Sequence, residues 1–371
     1  MGRKIILCIA ALTITLNTYA QNESLLIKGV LKEQGTGLPI PFANIWITNS
    51  SKGTAANASG EFIISIDAKY RIEKLKISCI GYHSRFVSID SIKNKSPLVL
   101  ALRTDASLLD EVVIKETALN PKEILTKAVE SVNDNYLRAP FNMEFYSEIV
   151  ATNVSTNKEF KVETILFGFS QGYSTAKKWV FEILQKRTSG EDPLKVIDYD
   201  YWPTFEIHNV DMISSSFKHG VINPKHLDKF DLKYAGVSTF DEDTVFNIEY
   251  FAPKPTKEIT GFGIVPKVYR GNIYITTGTN AIVKHEITTD QFSYSIIYKN
   301  LEGKYFPYYI SGERRTTATI MLSKITNSIT LRSIETKHVK TLDYKTNEFE
   351  NVNLVKFDES FWNTNYPIDI K

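Results

Sequence analysis

The stretch Ile77-Ser78-Cys79-Ile80-Gly81-Tyr82-His83 closes a series of short apolar segments that are separated by turns. Two stretches precede it: Gly37-Leu38-Pro39-Ile40-Pro41-Phe42-Ala43-Asn44-Ile45 and Gly53-Thr54-Ala55-Ala56-Asn57-Ala58-Ser59-Gly60-Glu61-Phe62. Each combines glycine, proline or asparagine with an apolar run, which is the pattern of a turn beside a strand. Strands at this regular spacing predict a seven-stranded Greek-key β-sandwich over residues 21–114.

The predicted turns set the limits of the strands of this sandwich. One strand begins near Ser24, and the others cover residues 42–47, 62–66, 75–80, 86–89 and 98–102. Gly53 and Gly60 are expected to adopt turn conformations that residues with a Cβ avoid. Cys79 is expected to be a small buried strand residue rather than a reactive thiol.

The order of these motifs resembles the carboxypeptidase regulatory-like domain. The matching positions are Pro39, Ala43, Asn44, Gly53, Thr54, Asn57, Gly60, Phe62, Gly81 and Tyr82. Asn57 stands where the family more often has Asp, and both residues cap turns. Residues 108–114 also resemble the segment that follows this domain in exported Bacteroidetes proteins. The resemblance implies a non-catalytic module of exported proteins. Residues 115–371 do not resemble the zinc-binding catalytic domain of the carboxypeptidases, so the family name does not indicate peptidase activity here.

Residues 1–20 have the pattern of a signal peptide. Arg3 and Lys4 precede a mostly apolar run from Ile5 to Leu16, and Thr18-Tyr19-Ala20 offers a small-residue cleavage site. The sequence therefore predicts export to the periplasm or to the periplasmic face of the outer membrane. No later apolar run is long enough for a transmembrane helix.

The charge balance argues against a polyanionic partner. The chain of 371 residues has 44 basic and 42 acidic side chains, a net charge of +2. Without Arg3 and Lys4 the balance is 42 − 42 = 0, so nucleic acid is not an expected partner. The hydrophobic fraction of 43% suits ordinary packed cores, and the aromatic fraction of 12% favours β structure.

One helix is predicted within a linker over residues 115–139. Asn120 is a suitable N-cap, Pro121 suits the first helical position, and Glu123 is placed to cap reciprocally. Ile124, Leu125, Ala128, Val129 and Val132 recur on one helical face. The helix is expected to stop near Asn135, before Ala139-Pro140.

Residues 140–371 predict a large antiparallel sheet, half-barrel-like in form, so the fold class is mainly β. Strands are predicted at 141–151, 160–169, 177–187, 245–251, 268–276, 282–288, 292–299 and 305–314. Phe292, Tyr294, Ile296 and Tyr298 alternate, so one face is expected to be aromatic-rich. Hairpin loops are predicted at 277–280 and 300–303.

The segment from Val268 to Val283 has a second, narrower resemblance. Gly271, Ile273, Tyr274 and Ile275 are similar to the repeating hairpin of LolA-like proteins, incomplete barrels that carry lipoproteins. This resemblance implies a lipid or lipoprotein carrier as one candidate function.

Motifs of common enzymes are absent from the sequence. Gly261-Phe262-Gly263 is followed by no helix start, and no His-Glu-x-x-His, paired-cysteine or nucleophile-elbow pattern occurs. Three of the six histidines, His208, His219 and His226, fall in one region with Asp200, Asp211 and Asp228. A metal site would need three or four of these side chains about 2 Å from one ion. Their spacing fits no ligand motif, so a solvated loop is favoured and the histidines remain weak metal candidates.

Aromatic side chains are the better candidates for ligand binding. Tyr201, Trp202, Tyr294, Tyr298 and Tyr308 could stack on sugar rings or line an apolar cleft, although core and rim packing of the sheet is the favoured explanation for such residues. The segment from Phe357 to Trp362 is expected to dock onto the sheet as a strap.

These observations predict a non-enzymatic envelope binding or scaffold protein without a cofactor. Its candidate partners are an outer-membrane protein, a lipid or a glycan. The alternatives are a periplasmic carrier of LolA-like type, a glycan-binding accessory of a nutrient uptake system, and a hydrolase that uses the loop between His208 and Asp228.

Overall fold

The computed structural model describes residues 25–40, 43–50, 53–56, 59–79, 82–93, 97–104, 119–173, 179–191, 207, 210–211, 213, 219–240, 243–261, 265–318, 321–342 and 357–365. The expected signal peptide lies outside these residues. Among the described residues, no helix has both the length and the apolarity that crossing a bilayer requires.

The first part of the chain forms two small sheets, as predicted, and we call them together the sandwich. Their strand orders are β4-β1-β7 and β3-β2-β5-β6. All pairs are antiparallel except β1 with β7. The strands are β1 (Leu25–Glu33), β2 (Asn44–Ile47), β3 (Gly53–Ala55), β4 (Glu61–Ile66), β5 (Lys74–Ser78), β6 (Arg85–Ser88) and β7 (Leu98–Leu102), with a 3-10 turn at Ala68–Tyr70 and a short helix α1 (Ile89–Ile92).

The two glycines of the sandwich motif have different roles. Gly60 has a φ of +75°, in the left-handed region, as predicted. The prediction for Gly53 was wrong, because Gly53 is not among the positive-φ residues. A Cβ at position 53 would instead overlap the indole ring of Trp46. Cys79 follows β5 and is partly buried against the sandwich core.

The predicted linking helix is present as α2 (Pro121–Glu130), followed by the single turn α3 (Val132–Asn135). The Asn120 side chain accepts a hydrogen bond from the Lys122 backbone N–H at 3.0 Å, which confirms the N-cap. Ile124, Leu125 and Ala128 are buried, so the predicted apolar face is the packed one.

The rest of the chain forms one antiparallel sheet of ten strands, which we call the large sheet. Its order is β10-β9-β8-β17-β16-β15-β14-β13-β12-β11, and its edges, β10 and β11, do not pair with each other, so the sheet is open. The strands are β8 (Phe141–Asn153), β9 (Glu159–Ser170), β10 (Val180–Gly190), β11 (Asp231–Phe240), β12 (Asp243–Phe251), β13 (Tyr269–Thr276), β14 (Ile282–Thr289), β15 (Phe292–Leu301), β16 (Lys304–Ala318) and β17 (Met321–Glu335); the helices are α4 (Lys257–Thr260) and α5 (Glu359–Asn365), and a 3-10 turn lies at Leu227–Lys229.

The predicted strands of the large sheet and both hairpin loops are confirmed, and β11 and β17 are additional. In the loop after β15, Glu302 and Gly303 both have positive φ, and Asn300 Oδ1 accepts the Gly303 N–H at 2.9 Å. Two positive-φ residues in sequence are the signature of a tight hairpin turn.

One face of the large sheet, the inner face, packs on α2 and α3. A single row of paired residues crosses it from β12 to β9, and every member is buried: Ile248, Ile273, His285, Ile296, Ile310, Ile329, Ser147 and Thr164. The helices and this face share one hydrophobic core. The inner face is therefore apolar apart from a few buried polar groups.

Candidate functional site

A buried aspartate lies among three tyrosines in the core of the inner face. Asp211 Oδ1 accepts a hydrogen bond from the Tyr298 hydroxyl at 2.7 Å and from the Ile213 backbone N–H at 3.2 Å. The Tyr173 hydroxyl lies 3.5 Å from Asp211 Oδ2. The ring of Tyr136 touches those of Tyr173 and Tyr298, at centroid distances of 5.4 and 5.6 Å. We call these four residues the Asp211 cluster.

Three separate elements assemble the Asp211 cluster. Tyr136 follows α3, Tyr173 follows β9 and Tyr298 lies on β15. Burial, and then the Asp211 carboxylate, raise the pKa of all three tyrosines well above the usual value, so each hydroxyl keeps its proton. The cluster therefore supplies hydrogen-bond donors to a buried acid, Asp211.

Loss of the short hydrogen bond to Asp211 should destabilise the fold. We expect Tyr298→Phe to lower the free energy of unfolding by about 1.5–3 kcal/mol, because a buried carboxylate loses a donor. Tyr173→Phe is the matched control, since its hydroxyl is farther away, and it should cost less. Chemical denaturation of both variants measures the difference; equal losses would contradict the assigned hydrogen bond.

A second polar group of the inner face is His285, in the isoleucine row. Its Nε2 lies 2.9 Å from the hydroxyl oxygen of Tyr250, and that hydroxyl donates its proton to the backbone oxygen of Glu286 at 3.0 Å. His285 is 3% exposed. Burial lowers the pKa of His285 to about 3, so the ring is neutral at physiological pH.

This buried histidine should make the fold acid-labile. The unfolded chain takes up a proton at His285 near pH 6.5, whereas the folded chain does so only near pH 3. The contribution to stability is complete above pH 6.5 and falls by about 1.4 kcal/mol per pH unit below it. We expect His285→Gln to remove this slope between pH 6.5 and 4.5, measured by denaturation at several pH values. The exposed His83→Gln is the control, and an unchanged slope in His285→Gln would refute the assignment.

The structure buries the described aromatic residues that were predicted as ligand-binding. Tyr294, Tyr298 and Tyr308 all lie in the core shared by the inner face and its helices. Tyr201 and Trp202 lie outside the described residues. A ligand of the inner face would therefore reach these rings only if the covering chain moved, and their role in binding stays a prediction.

The histidine-rich region does not converge in the described part of the chain. His219 Nδ1 lies 2.8 Å from the Glu258 backbone oxygen, and His226 Nε2 lies 3.2 Å from Glu258 Oε1. Asp228 instead pairs with Lys122 on α2. Asp200 and His208 are outside the described residues. Within the described ranges, no three His, Cys, Asp or Glu side chains form a metal-binding group.

The sandwich meets the large sheet at a contact that we call the junction. Trp46 on β2 inserts into the core of the large sheet, whereas its neighbours Ile45 and Ile47 pack inside the sandwich. The Trp46 ring meets Tyr308 edge-on at 5.2 Å, and Lys299 Nζ lies 4.2 Å from the centre of the Trp46 ring.

Backbone contacts complete the junction. The Tyr308 hydroxyl lies within hydrogen-bond distance of the backbone oxygens of Ile45 and Thr54, and β3 lies beside β17. Tyr308 thus binds the sandwich from the large sheet. Alternation along β2 places Trp46 on the face opposite to Ile45 and Ile47. A tryptophan on the face of a small sheet that points away from the sheet's own core is the sequence signal for such an interface.

The family comparison agrees with the architecture of the first part of the chain. Residues 27–114 match the CarboxypepD_reg-like domain family. These residues carry the carboxypeptidase regulatory-like domain. The match covers the sandwich and ends before α2. No curated protein sequence matches the chain.

Solved structures similar to this chain include proteins named for lipoprotein sorting. A putative outer membrane lipoprotein-sorting protein domain from Vibrio parahaemolyticus is 10% identical, with 63% of this chain and 99% of that chain covered and a TM-score of 0.30. The lipoprotein LppX of Mycobacterium tuberculosis is 8% identical, with 60% and 97% covered and a TM-score of 0.23. The neighbours are of the kind that the hairpin resemblance named, but TM-scores this low do not establish a common fold.

Proposed function

We propose that this protein is a non-enzymatic binding or scaffold protein of the cell envelope, acting in the periplasm or at the periplasmic face of the outer membrane. The junction is the observation that carries the proposal. Trp46, at 5% exposure, anchors the regulatory-like domain in the core of the large sheet. A module fixed in this way presents the large sheet in one orientation, which suits a scaffold better than a freely tethered domain.

The buried titratable groups support the same conclusion. Among the described residues, Asp211 is bonded by Tyr298, His285 by Tyr250, and Glu163 by Arg187. Each of these groups is engaged in a contact that holds two elements together. Catalytic groups instead face a cleft with a pKa near the working pH.

A turnover assay combined with metal analysis tests the proposal. We expect the purified protein to contain no stoichiometric metal and to hydrolyse neither ester, peptide nor glycoside substrates, with or without added Zn²⁺. Metal-dependent hydrolysis that disappears in His219→Ala, but persists in the exposed control His83→Ala, would overturn the non-enzymatic proposal and favour a hydrolase.

The apolar inner face favours a second candidate, a carrier of acyl chains. Ile248, Ile273, Ile287 and Tyr294 belong to one buried apolar core beside His285, and this core could shelter a lipid if the covering helices moved apart. For a carrier, we expect delipidated protein to bind a fluorescent fatty acid saturably. Binding should weaken in Tyr294→Ala and persist in Ile297→Ala, a buried control on the opposite face of β15. Failure of the delipidated protein to bind would exclude the carrier.

A further inference from the structure

The face of the large sheet opposite to the inner face is rich in ion pairs, and we call it the outer face. Arg187 on β10 makes two hydrogen bonds to Glu163 on β9, Nε to Oε2 at 2.6 Å and Nη2 to Oε1 at 2.7 Å. The Tyr146 hydroxyl donates to Glu163 Oε1 at 2.7 Å. On β17, Arg332 Nη1 lies 2.5 Å from Glu144 Oε1. Arg187 and Arg332 therefore each have a carboxylate partner within the sheet.

The C-terminal helix α5 lies across these arginines, as the predicted strap. The Arg187 guanidinium carbon is 4.4 Å from the centre of the Trp362 ring, and that of Arg332 is 5.8 Å from the centre of the Phe361 ring. Two adjacent aromatic residues thus cover two arginines that are separated by the strands β9 and β8. The Trp362 side chain is 1% exposed, so its whole indole ring is buried against the outer face.

The beginning of α5 is also fixed to the sheet. The Asp358 backbone N–H donates to Gln185 Oε1 on β10 at 3.1 Å. The Asp358 side chain in turn accepts the Phe361 N–H at 3.0 Å, which caps the helix. Between the arginines, Gln185 pairs with Ile165 and Ile165 with Tyr146, so one apolar side chain lies in the middle of the contact area.

Two properties make α5 exchangeable. It has seven residues, fewer than the roughly 12–15 that an isolated helix needs, so its order depends on the docking. The pairs Glu163–Arg187 and Glu144–Arg332 are complete within the sheet, so departure of the helix would leave no unpaired charge at either arginine.

We propose that the outer face is a docking surface for a short helix with two adjacent aromatic residues, and that α5 occupies it in place of such a helix from a partner protein. The chemistry of the partner is defined by what is seated there: a cap residue, then a Phe-Trp pair whose rings stack on Arg187 and Arg332. This inference gives the proposed binding role a surface and a class of partner.

Peptide binding to the full-length chain tests the proposal. The probe is a fluorescein-labelled peptide with the sequence of residues 357–365, and the opened protein is the double variant Phe361→Ala with Trp362→Ala. We expect the opened protein to bind the peptide at least tenfold more tightly than the wild type, whose own helix competes. Added to the opened protein, Arg187→Lys should weaken binding at least tenfold, because lysine keeps the charge beside Glu163 and lacks the planar guanidinium.

Three results would overturn the proposal. The first is that the opened protein does not bind the peptide, and the second is that wild type and opened protein bind it equally. The third is a wild-type dimer that Trp362→Ala dissociates, because the partner would then be a second copy of the chain. Circular dichroism of each variant confirms folding, and Arg332→Met, at the more exposed pair, gives a second readout if Arg187→Lys does not fold. A failure here leaves the turnover assay unaffected, so the two proposals can fail separately.

Discussion

Gly271→Ala is expected to lower the free energy of unfolding by about 3 kcal/mol or more, or to prevent folding. Gly271 lies on β13, where a Cβ would overlap the Glu286 backbone oxygen on β14 and lie 2.5 Å from the hydroxyl oxygen of Tyr250. A backbone oxygen inside a sheet cannot move unless the strand pair opens. The Tyr250 ring, which crosses over Gly271 to reach His285, would be displaced as well.

Gly278→Ala is the matched control for this substitution. Gly278 lies in the loop that joins β13 and β14, and a Cβ there would meet no heavy atom within 4 Å. We expect its stability to stay within about 0.5 kcal/mol of the wild type. Thermal and chemical denaturation compare the two variants; a Gly271→Ala protein as stable as Gly278→Ala would contradict the described packing of the hairpin.

Trp46→Ala is expected to cost about 3–5 kcal/mol, the usual loss for a buried tryptophan. The loss should fall on the junction, because Trp46 belongs to the core of the large sheet and not to that of the sandwich. We therefore expect chemical denaturation, followed by circular dichroism, to change from one transition into two.

Lys299→Met separates the two parts of the Trp46 contact. Methionine preserves most of the side-chain volume and removes the cation over the ring, which is worth about 1 kcal/mol. The transition of this variant should remain single. A Trp46→Ala protein that unfolds in one transition at unchanged denaturant concentration would show that the junction does not hold the two parts together.

Local patterns in the sequence were sufficient for much of the fold. Strict alternation at Phe292, Tyr294 and Ile296 predicted β15, and Asn120 with Pro121 predicted the start of α2. The sequence patterns failed to predict strands in which tertiary packing interrupts the alternation of apolar and polar residues. On β11 a bulge lies between Tyr234 and Val237, with Gly236 at a φ of +100°.

The sequence pattern also failed to predict β17, for a different reason. Asn327 occupies an inner-face position there, beside Gly312, which has room for no side chain because Tyr294 and Asn327 lie over it. A polar residue at an inward-facing position interrupts the apolar alternation by which a strand is predicted from sequence. The pairing with Gly312 is visible only in the folded sheet.

The candidate sites depended on long-range contacts and were harder to predict. Asp211 was grouped with nearby histidines, but it is bonded by Tyr298 and Tyr173, which lie on other elements. Tyr308, which was predicted to bind a ligand, contacts the sandwich, and its role in binding stays a prediction. Sequence proximity therefore suggested the wrong partners for Asp211, whereas the predicted docking of the segment from Phe357 to Trp362 on the sheet is confirmed by the burial of Trp362.

We propose that the regulatory-like domain and the large sheet form one scaffold through the junction. Denaturation followed with two probes tests this directly: thiol labelling of Cys79 reports on the sandwich, and circular dichroism reports on the whole chain. Cys8→Ser makes Cys79 the single thiol, since the chain has two cysteines. We expect coincident midpoints in the otherwise unchanged protein and earlier labelling of Cys79 in Trp46→Ala. Labelling of Cys79 well before the global transition in the protein that retains Trp46 would contradict it.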